Sequence, residues 1–311
     1  MTLAPFVRIV AQGKGRARAL TFAEAQEAMT EILEGRAAPE AVGGLLMVLR
    51  LRGEEAQEIA GFTAALRAHV SGALPTADLD WPSYAAGRSR GAPLYLLAAR
   101  LVAQAGVRIS MHGHNAYQNA TLGPEDIRAL LGPLVRYDPL SALCPEAFRL
   151  LDLRADLGLR SCINTVLRMW NPSGADATVQ GVFHPSYRSL QAQAAEILGQ
   201  QTLSIIKGGG GEFERHPSKD TVCFGLRAGA HIQQTAPAML SETRRLHEVE
   251  AAVDAYKLWH GQSRDAFAEA TVTGTAALAL WTIDPTTTIA QAQVTAQDLW
   301  ANRDAYERLT A

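Results

Sequence analysis

The chain has 311 residues, 48% of them apolar and 19% charged, with a formal net charge of −2. An apolar share of that size excludes a natively disordered chain and supports one large domain, or a large and a small one. A net charge near zero speaks against a dedicated polyanion binder, but the charge is uneven: nine acidic and four basic residues lie from Glu248 onward, which leaves the preceding part positive.

In chain order, residues 20–72 predict helices. Thr21 and Glu24 have capping-box spacing, and Ala25, Ala28, Met29, Ile32 and Leu33 follow on one face. Gly35 stops that helix and Pro39 opens the next, which carries "GGLLMVLRLRG". Two adjacent glycines weaken a helix by about 1 kcal/mol each unless another helix approaches closely, so this face is a candidate dimer contact. Glu54–Val70 predicts a third helix. After Pro75 strands and helices alternate: "ADLDWPSY" a strand, "APLYLLAARLVAQAG" a helix, "VRISMHGHN" a strand, "GPEDIRALLG" a helix, "LDLRADLGLRSCINTVLRMWNPSGA" a loop then a helix, "TVQGVFHPSY" a strand, "RSLQAQAAEILGQ" a helix, and "TLSIIKGGGGEFERHP" a strand entering a glycine-rich loop. Residues 241–311 read as helices around the apolar block "TGTAALALWTI". Alternation of this kind implies a mainly parallel sheet covered by helices, with ligands beyond the carboxyl ends of the strands. The expected division is a helical domain over 1–74, which dimerises, and an α/β domain over 75–311, with some helices between 120 and 165 packing on the helical domain.

Three separated cysteines (Cys144, Cys162, Cys223) without a C-x-x-C pair indicate neither a zinc site nor a disulfide framework. The longest apolar run noted, "AVGGLLMVLRLRG", is interrupted by Arg50 and Arg52 and falls short of the roughly 18–20 residues of a membrane span. Without a signal-peptide pattern the expectation is a cytoplasmic protein with no membrane partner. "HGH" (His112, His114) lacks a third metal ligand within sequence reach. "KGGGGE" is either a phosphate-binding turn or a tight turn against the sheet.

The order of "TFAEAQEAMTEILEGRAAPEAVGGLLMVLRLRGEEAQEIAGF", "GVRISMHGHN", "LGLRSCINTVLRMWNPSGA" and "GVFHPSY" resembles the anthranilate phosphoribosyltransferases, a family that shares its fold with the pyrimidine nucleoside phosphorylases. The resemblance implies a small helical domain beside an α/β domain, dimers through the helical domains, and substrates in the cleft between. It also implies motifs that are altered here. The Gly-Thr-Gly-Gly-Asp diphosphate loop reads "PSYAAG" (Pro82–Gly87), the Asn-x-Ser-Thr turn reads "PLYL" (Pro93–Leu96), and Lys-His-Gly-Asn reads Met111–His114. Of the magnesium-holding Asp-Glu pair, the aspartate aligns with Phe213 and Glu214 matches; a shifted register would let Glu212 serve. Arg160 matches an arginine that contacts the aromatic acid, followed by Asn171-Pro172.

The chain also resembles a branch of that family with degenerate sites that binds nucleic acid without sequence preference, on "AQGKGRARALTFAEA", "DWPSYAAGRSRGAP" and "HPSYRSLQ". Arginine makes up 25 of the 29 basic side chains and matches phosphate geometry, although a GC-rich genome yields the same excess. The candidate contacts to phosphates and bases are Lys14, Arg16, Arg18, Tyr84, Arg88, Arg90, Arg160, Lys207 and Arg215, with Trp81 beside Tyr84. Each has a plain reading as well: a solvated arm at 14–18, an ordinary surface loop at 88–90, and core packing for the two aromatics. The first expectation is therefore a homodimer that binds single-stranded DNA or RNA with no catalytic residues and no cofactor. The alternative is a glycosyl or phosphoribosyl transferase with an altered substrate, with magnesium on Glu212 and Glu214.

Overall fold

The structure, a computed structural model, describes residues 2–13, 15–70, 74–84, 92–114, 122–242 and 253–305. It opens with a helix that the sequence did not announce, α1 (Ala4–Ala11), with Pro5 in its first turn and Phe6 and Val10 buried. α2 (Phe22–Leu33) begins at the expected capping box: the Thr21 side chain accepts the Glu24 N–H, and the Glu24 carboxylate accepts the Thr21 N–H at 2.8 Å. α3 (Pro39–Arg52) ends at Gly53, whose φ of 90° suits glycine. α4 (Ala56–His69) crosses α2 closely at Gly61. A Cβ there would meet the Phe22 carbonyl and lie 2.7 Å from the Ala25 Cβ. The adjacent glycines of α3 behave differently. A Cβ on Gly43 would touch Leu157 of the later helical segment at 3.9 Å, but nothing described comes within 4 Å of one on Gly44, and Leu51 is 91% exposed, so among the described residues no helix covers the face around Gly44 and Leu51.

The α/β part alternates β1 (Leu79–Ser83), α5 (Leu94–Ala103), β2 (Ile109–Gly113), α6 (Pro124–Leu131) and β3 (Val135–Pro139). Short helices α7 (Leu140–Leu143), α8 (Pro145–Asp152), α9 (Arg154–Leu157) and α10 (Ile163–Arg168) lead back to β4 (Ala177–Val182), α11 (Tyr187–Ile197) and β5 (Thr202–Lys207). A hairpin of β6 (Thr221–Arg227) and β7 (Ala230–Ala236) follows, then α12 (Ala255–Trp259), α13 (Ala266–Ile283) and α14 (Ile289–Ala301). The seven strands lie in the order β3-β2-β1-β4-β5-β6-β7. β1 to β5 pair in parallel, and β6 and β7 add antiparallel. The sheet is thus mainly parallel, as expected, with a hairpin the sequence reading did not name. Its turn uses Ala228 (φ 50°) and Gly229 (φ 76°), a left-handed pair without the usual Asn-Gly or Asp-Gly signature.

Alternation along the strands sends side chains to two cores. Leu79, Trp81, Ile109, Met111 and Val179 face α5, α6, α13 and α14. Leu203, Ile205, Val182 and Tyr84 face a second core built with α1–α4, α7, α8, α10 and α11. Residues 140–168 therefore share a core with the helical bundle. α13 corrects the reading of apolar runs: its 18 residues are long and apolar enough for a membrane span by composition alone, and 72% of them are buried within the protein.

Gly61→Ala should lower stability by about 1–3 kcal/mol through overpacking of α2 on α4, measured by urea unfolding. The Arg18 guanidinium, hydrogen-bonded to Glu24, holds that carboxyl at about 2, below its ordinary 4.5. The pair's contribution is then present above pH 4.5 and lost as the pH falls toward 2. For a partly exposed pair it amounts to about 1 kcal/mol or less. Glu24→Gln should therefore be less stable than the parent near neutral pH, with the gap closing in acid.

Candidate functional site

The strand order reverses beside β1, which leads one way to β2 and β3 and the other way to β4 and β5. The crevice beyond the carboxyl ends of strands at such a switch is where α/β sheets hold ligands. β5 leaves the sheet there through the glycine-rich turn 208–211, and the segment after it lies across the end of β4. A Cβ on either Gly181 or Gly208 would fall on the Glu212 backbone, so glycine at both positions permits the approach. Glu212 is extended (φ −82°, ψ 161°). Extended geometry sends Glu212 and Glu214 to one side and Phe213 to the other. Phe213 enters the core edge-on to Trp81, centroids 5.5 Å apart.

Both carboxylates are buried and meet the β1–α5 junction. Glu212 Oε1 accepts the Ser83 hydroxyl at 3.0 Å, and Ser83 Oγ lies 3.1 Å from the Tyr95 hydroxyl. Glu214 Oε2 accepts the Tyr95 N–H, in the first turn of α5, at 3.0 Å. That N–H belongs to the positive end of the helix, where an anion is stabilised. Two hard oxygen donors on one side of a crevice fit Mg²⁺, which one or two carboxylates plus substrate phosphates commonly hold. The glycine-rich turn, in contrast, uses its amides internally: Gly209 N–H donates to Glu214 O, Gly211 N–H to Gly208 O and Glu212 N–H to Gly209 O. It is a tight turn that places the acid pair, and its bonded amides do not form a phosphate cradle.

A polar seam crosses the same strands on the helical-bundle side. Tyr84 OH lies 2.7 Å from His112 Nδ1, and His112 Nε2 lies 3.2 Å from Asp80 Oδ1. Thr178 Oγ1 donates to Asp80 Oδ2 at 3.3 Å. All four side chains are buried. Burial pushes the Tyr84 phenol well above its ordinary range, so it stays protonated. Arg168, also buried, donates to the Tyr84 carbonyl at 3.3 Å. Desolvation lowers its pKa to about 10, Glu212 opposes that shift and Arg160 reinforces it. From α4, Arg67 donates to the carbonyls of Trp170 (2.8 Å) and Met169 (2.9 Å), joining the bundle to the end of α10.

The residues named from sequence separate accordingly. Lys14, Arg88 and Arg90 lie outside the described residues. Arg16 and Lys207 are exposed, and Arg160 is half-buried just before α10. Arg18 is exposed but engaged with Glu24 at 2.6 Å. Tyr84 is a correction: its ring is buried against His112 and offers no stacking face, and Trp81 is likewise enclosed. Arg215 is a second correction. It is buried away from the mouth, where its side chain bonds the Pro237 carbonyl and Gln293 and its N–H donates to Thr275. Charge attracts phosphate only at a surface, and this arginine instead ties α13 and α14 to the end of β7. Both ring nitrogens of His112 face other side chains of the seam, Tyr84 and Asp80. Sequence reasoning missed Arg168 and Asp80. A charged residue inside the apolar run "TVLRMW", and an aspartate alternating with buried residues in "ADLDW", were the available signals.

Residues 6–70 match the family described as glycosyl transferase family, helical bundle domain. An anthranilate phosphoribosyltransferase of Rubrobacter xylanophilus is 32% identical over 212 residues, covering 63% of this chain and 62% of its own. In sequence the chain is similar to the anthranilate phosphoribosyltransferases. It spans under two thirds of the length of that relative and of the one from Methylocella silvestris. The fold agrees: the Thermus thermophilus anthranilate phosphoribosyltransferase superposes with a TM-score of 0.73 at 24% identity over 93% of each chain. The Saccharomyces cerevisiae enzyme in complex with PRPP and Mg gives 0.75 at 14% identity, over 99% of this chain and 96% of that one.

Tyr84→Phe should cost about 1–3 kcal/mol, because His112 Nδ1 stays buried and loses its donor. A shifted urea midpoint checks this; an exposed, base-stacking tyrosine would tolerate the change.

Proposed function

We propose that the chain binds a phosphorylated pentose at the β1–β4 switch point and acts as a phosphoribosyltransferase-type pentosyl transferase with an altered substrate. The observation that carries this reading is that Glu212 and Glu214 are both buried and both bonded to the β1–α5 junction, one to the Ser83 hydroxyl and the other to the Tyr95 N–H. Extended geometry at Glu212 is consistent with a register shift in which Glu212 serves in place of the missing aspartate. Glu212 and Glu214 would hold Mg²⁺, which neutralises charge on a departing diphosphate. Ser83 and Tyr95 fix the two carboxylates from the sheet and from α5. Arg168 and Arg160 add positive potential near the pair, suited to an anionic acceptor. The Tyr84–His112–Asp80 seam makes the floor of the crevice rigid. The bonded amides of the glycine-rich turn leave phosphate contacts to other groups, and this is the basis for an altered substrate.

A second reading, sequence-tolerant binding of single-stranded nucleic acid by a homodimer, draws on a different observation. Glu214 already occupies the Tyr95 N–H that a bound anion would use, while Arg16 and Lys207 stand in solvent. The uncovered α3 face around Gly44 and Leu51 would join the two copies.

Calorimetry of the full chain with PRPP, with and without Mg²⁺, separates the two. The transferase reading expects saturable micromolar binding that needs the metal and weakens about tenfold or more in Glu212→Gln, a change of about 1.4 kcal/mol. No PRPP binding, together with salt-dependent fluorescence anisotropy of a single-stranded oligonucleotide, would replace it with the second reading.

A further inference from the structure

Away from the crevice, three different metal-ligating side chains meet between α4 and α8. His69 ends α4, Cys144 is the residue before α8, and Glu146 lies in the first turn of α8. Their ligand atoms all lie within 4.8 Å of one another. His69 Nε2 and Cys144 Sγ are each 3.8 Å from the same oxygen, Glu146 Oε2. Around a tetrahedral zinc, with bonds of about 2.0–2.3 Å, an N···O edge spans about 3.3 Å and an S···O edge about 3.6 Å. The S···O edge is therefore within about 0.2 Å, and the N···O edge within about 0.5 Å, of that geometry.

The surroundings orient these groups as outer-shell partners orient ligands. Arg149 approaches the other carboxylate oxygen, Glu146 Oε1, at 3.7 Å, which leaves Oε2 turned to the histidine and the cysteine. The Ala147 N–H donates to Cys144 Sγ at 3.5 Å and so helps to fix the sulfur at the start of α8. Cys144 is buried, whereas the His69 and Glu146 side chains are 29% and 32% exposed, so an ion has an entry path and room for a fourth, solvent ligand. A thiolate, an imidazole and a carboxylate together suit a borderline-soft divalent ion better than Mg²⁺ or Ca²⁺.

We propose that His69, Cys144 and Glu146 form a zinc site that fastens the end of α4 to the start of α8. The sequence conceals it, since the histidine comes from a distant segment and Cys-x-Glu is no recognised spacing. Binding displaces the thiol proton to solvent and changes no oxidation state.

The full chain, stripped with a chelator, is titrated with Zn²⁺ by calorimetry and with Co²⁺ by absorption. The expected result is one zinc per chain, a thiolate-to-cobalt charge-transfer band, and a melting temperature raised by zinc. His69→Gln, at a partly exposed position that leaves the core intact, should weaken zinc at least tenfold and abolish the thermal shift; Cys144→Ser should remove the sulfur band. Absence of stoichiometric binding, or a cobalt adduct without the sulfur band, overturns the proposal. So does zinc affinity unchanged in His69→Gln but lost in Glu212→Gln, which would place the ion in the crevice.

Discussion

A buried carboxylate held against the first turn of a helix is the contact on which the crevice depends. Glu214 on the Tyr95 N–H, with Glu212 on the Ser83 hydroxyl, binds the segment after β5 to the junction of β1 and α5. Polar groups in the interior persist only when hydrogen-bonded or paired, so the acid pair and the groups that receive it are one unit. Gly181 and Gly208 make that unit possible by letting backbone pass over backbone. Without them the two acidic side chains would stand away from the switch point.

The second organising feature is the seam between sheet and helical bundle. Apolar surfaces there are joined by directional bonds, Arg67 to the end of α10, Arg168 to the Tyr84 carbonyl and Tyr84 to His112, whose other ring nitrogen lies 3.2 Å from Asp80. Apolar packing alone tolerates sliding, whereas hydrogen bonds to buried acceptors fix register. The angle between bundle and sheet, and so the shape of the crevice between them, is set by these few polar groups.

Much of this architecture was legible in the residues. Thr21 and Glu24 announced a helix start, Pro39 another, and the alternation after Pro75 gave the parallel strands and the loops that would line the crevice. β3 and the β6–β7 hairpin escaped because their signals are weak. Arg136 and Asp138 break the apolar pattern of β3, and Ala228-Gly229 does not advertise a turn. In the crevice, spacing located Glu212 and Glu214, but only geometry shows both on one side with Phe213 turned inward. Counting charges suggested a basic mouth and could not separate Arg215, which is interior, from Lys207, which is solvated. Burial is a property of the fold, and a string of residue types carries it only where periodicity is strong.

The position of α13 in the chain bears on how the protein is made. This helix, apolar on all sides, packs on α5 and against β4 and β5, yet it is encoded after all seven strands. A nascent chain leaving the ribosome therefore presents one greasy sheet surface until nearly the last tenth of translation, and contacts between such distant segments form slowly. A chain truncated before Ala266 would therefore have an incomplete core however well its bundle folds.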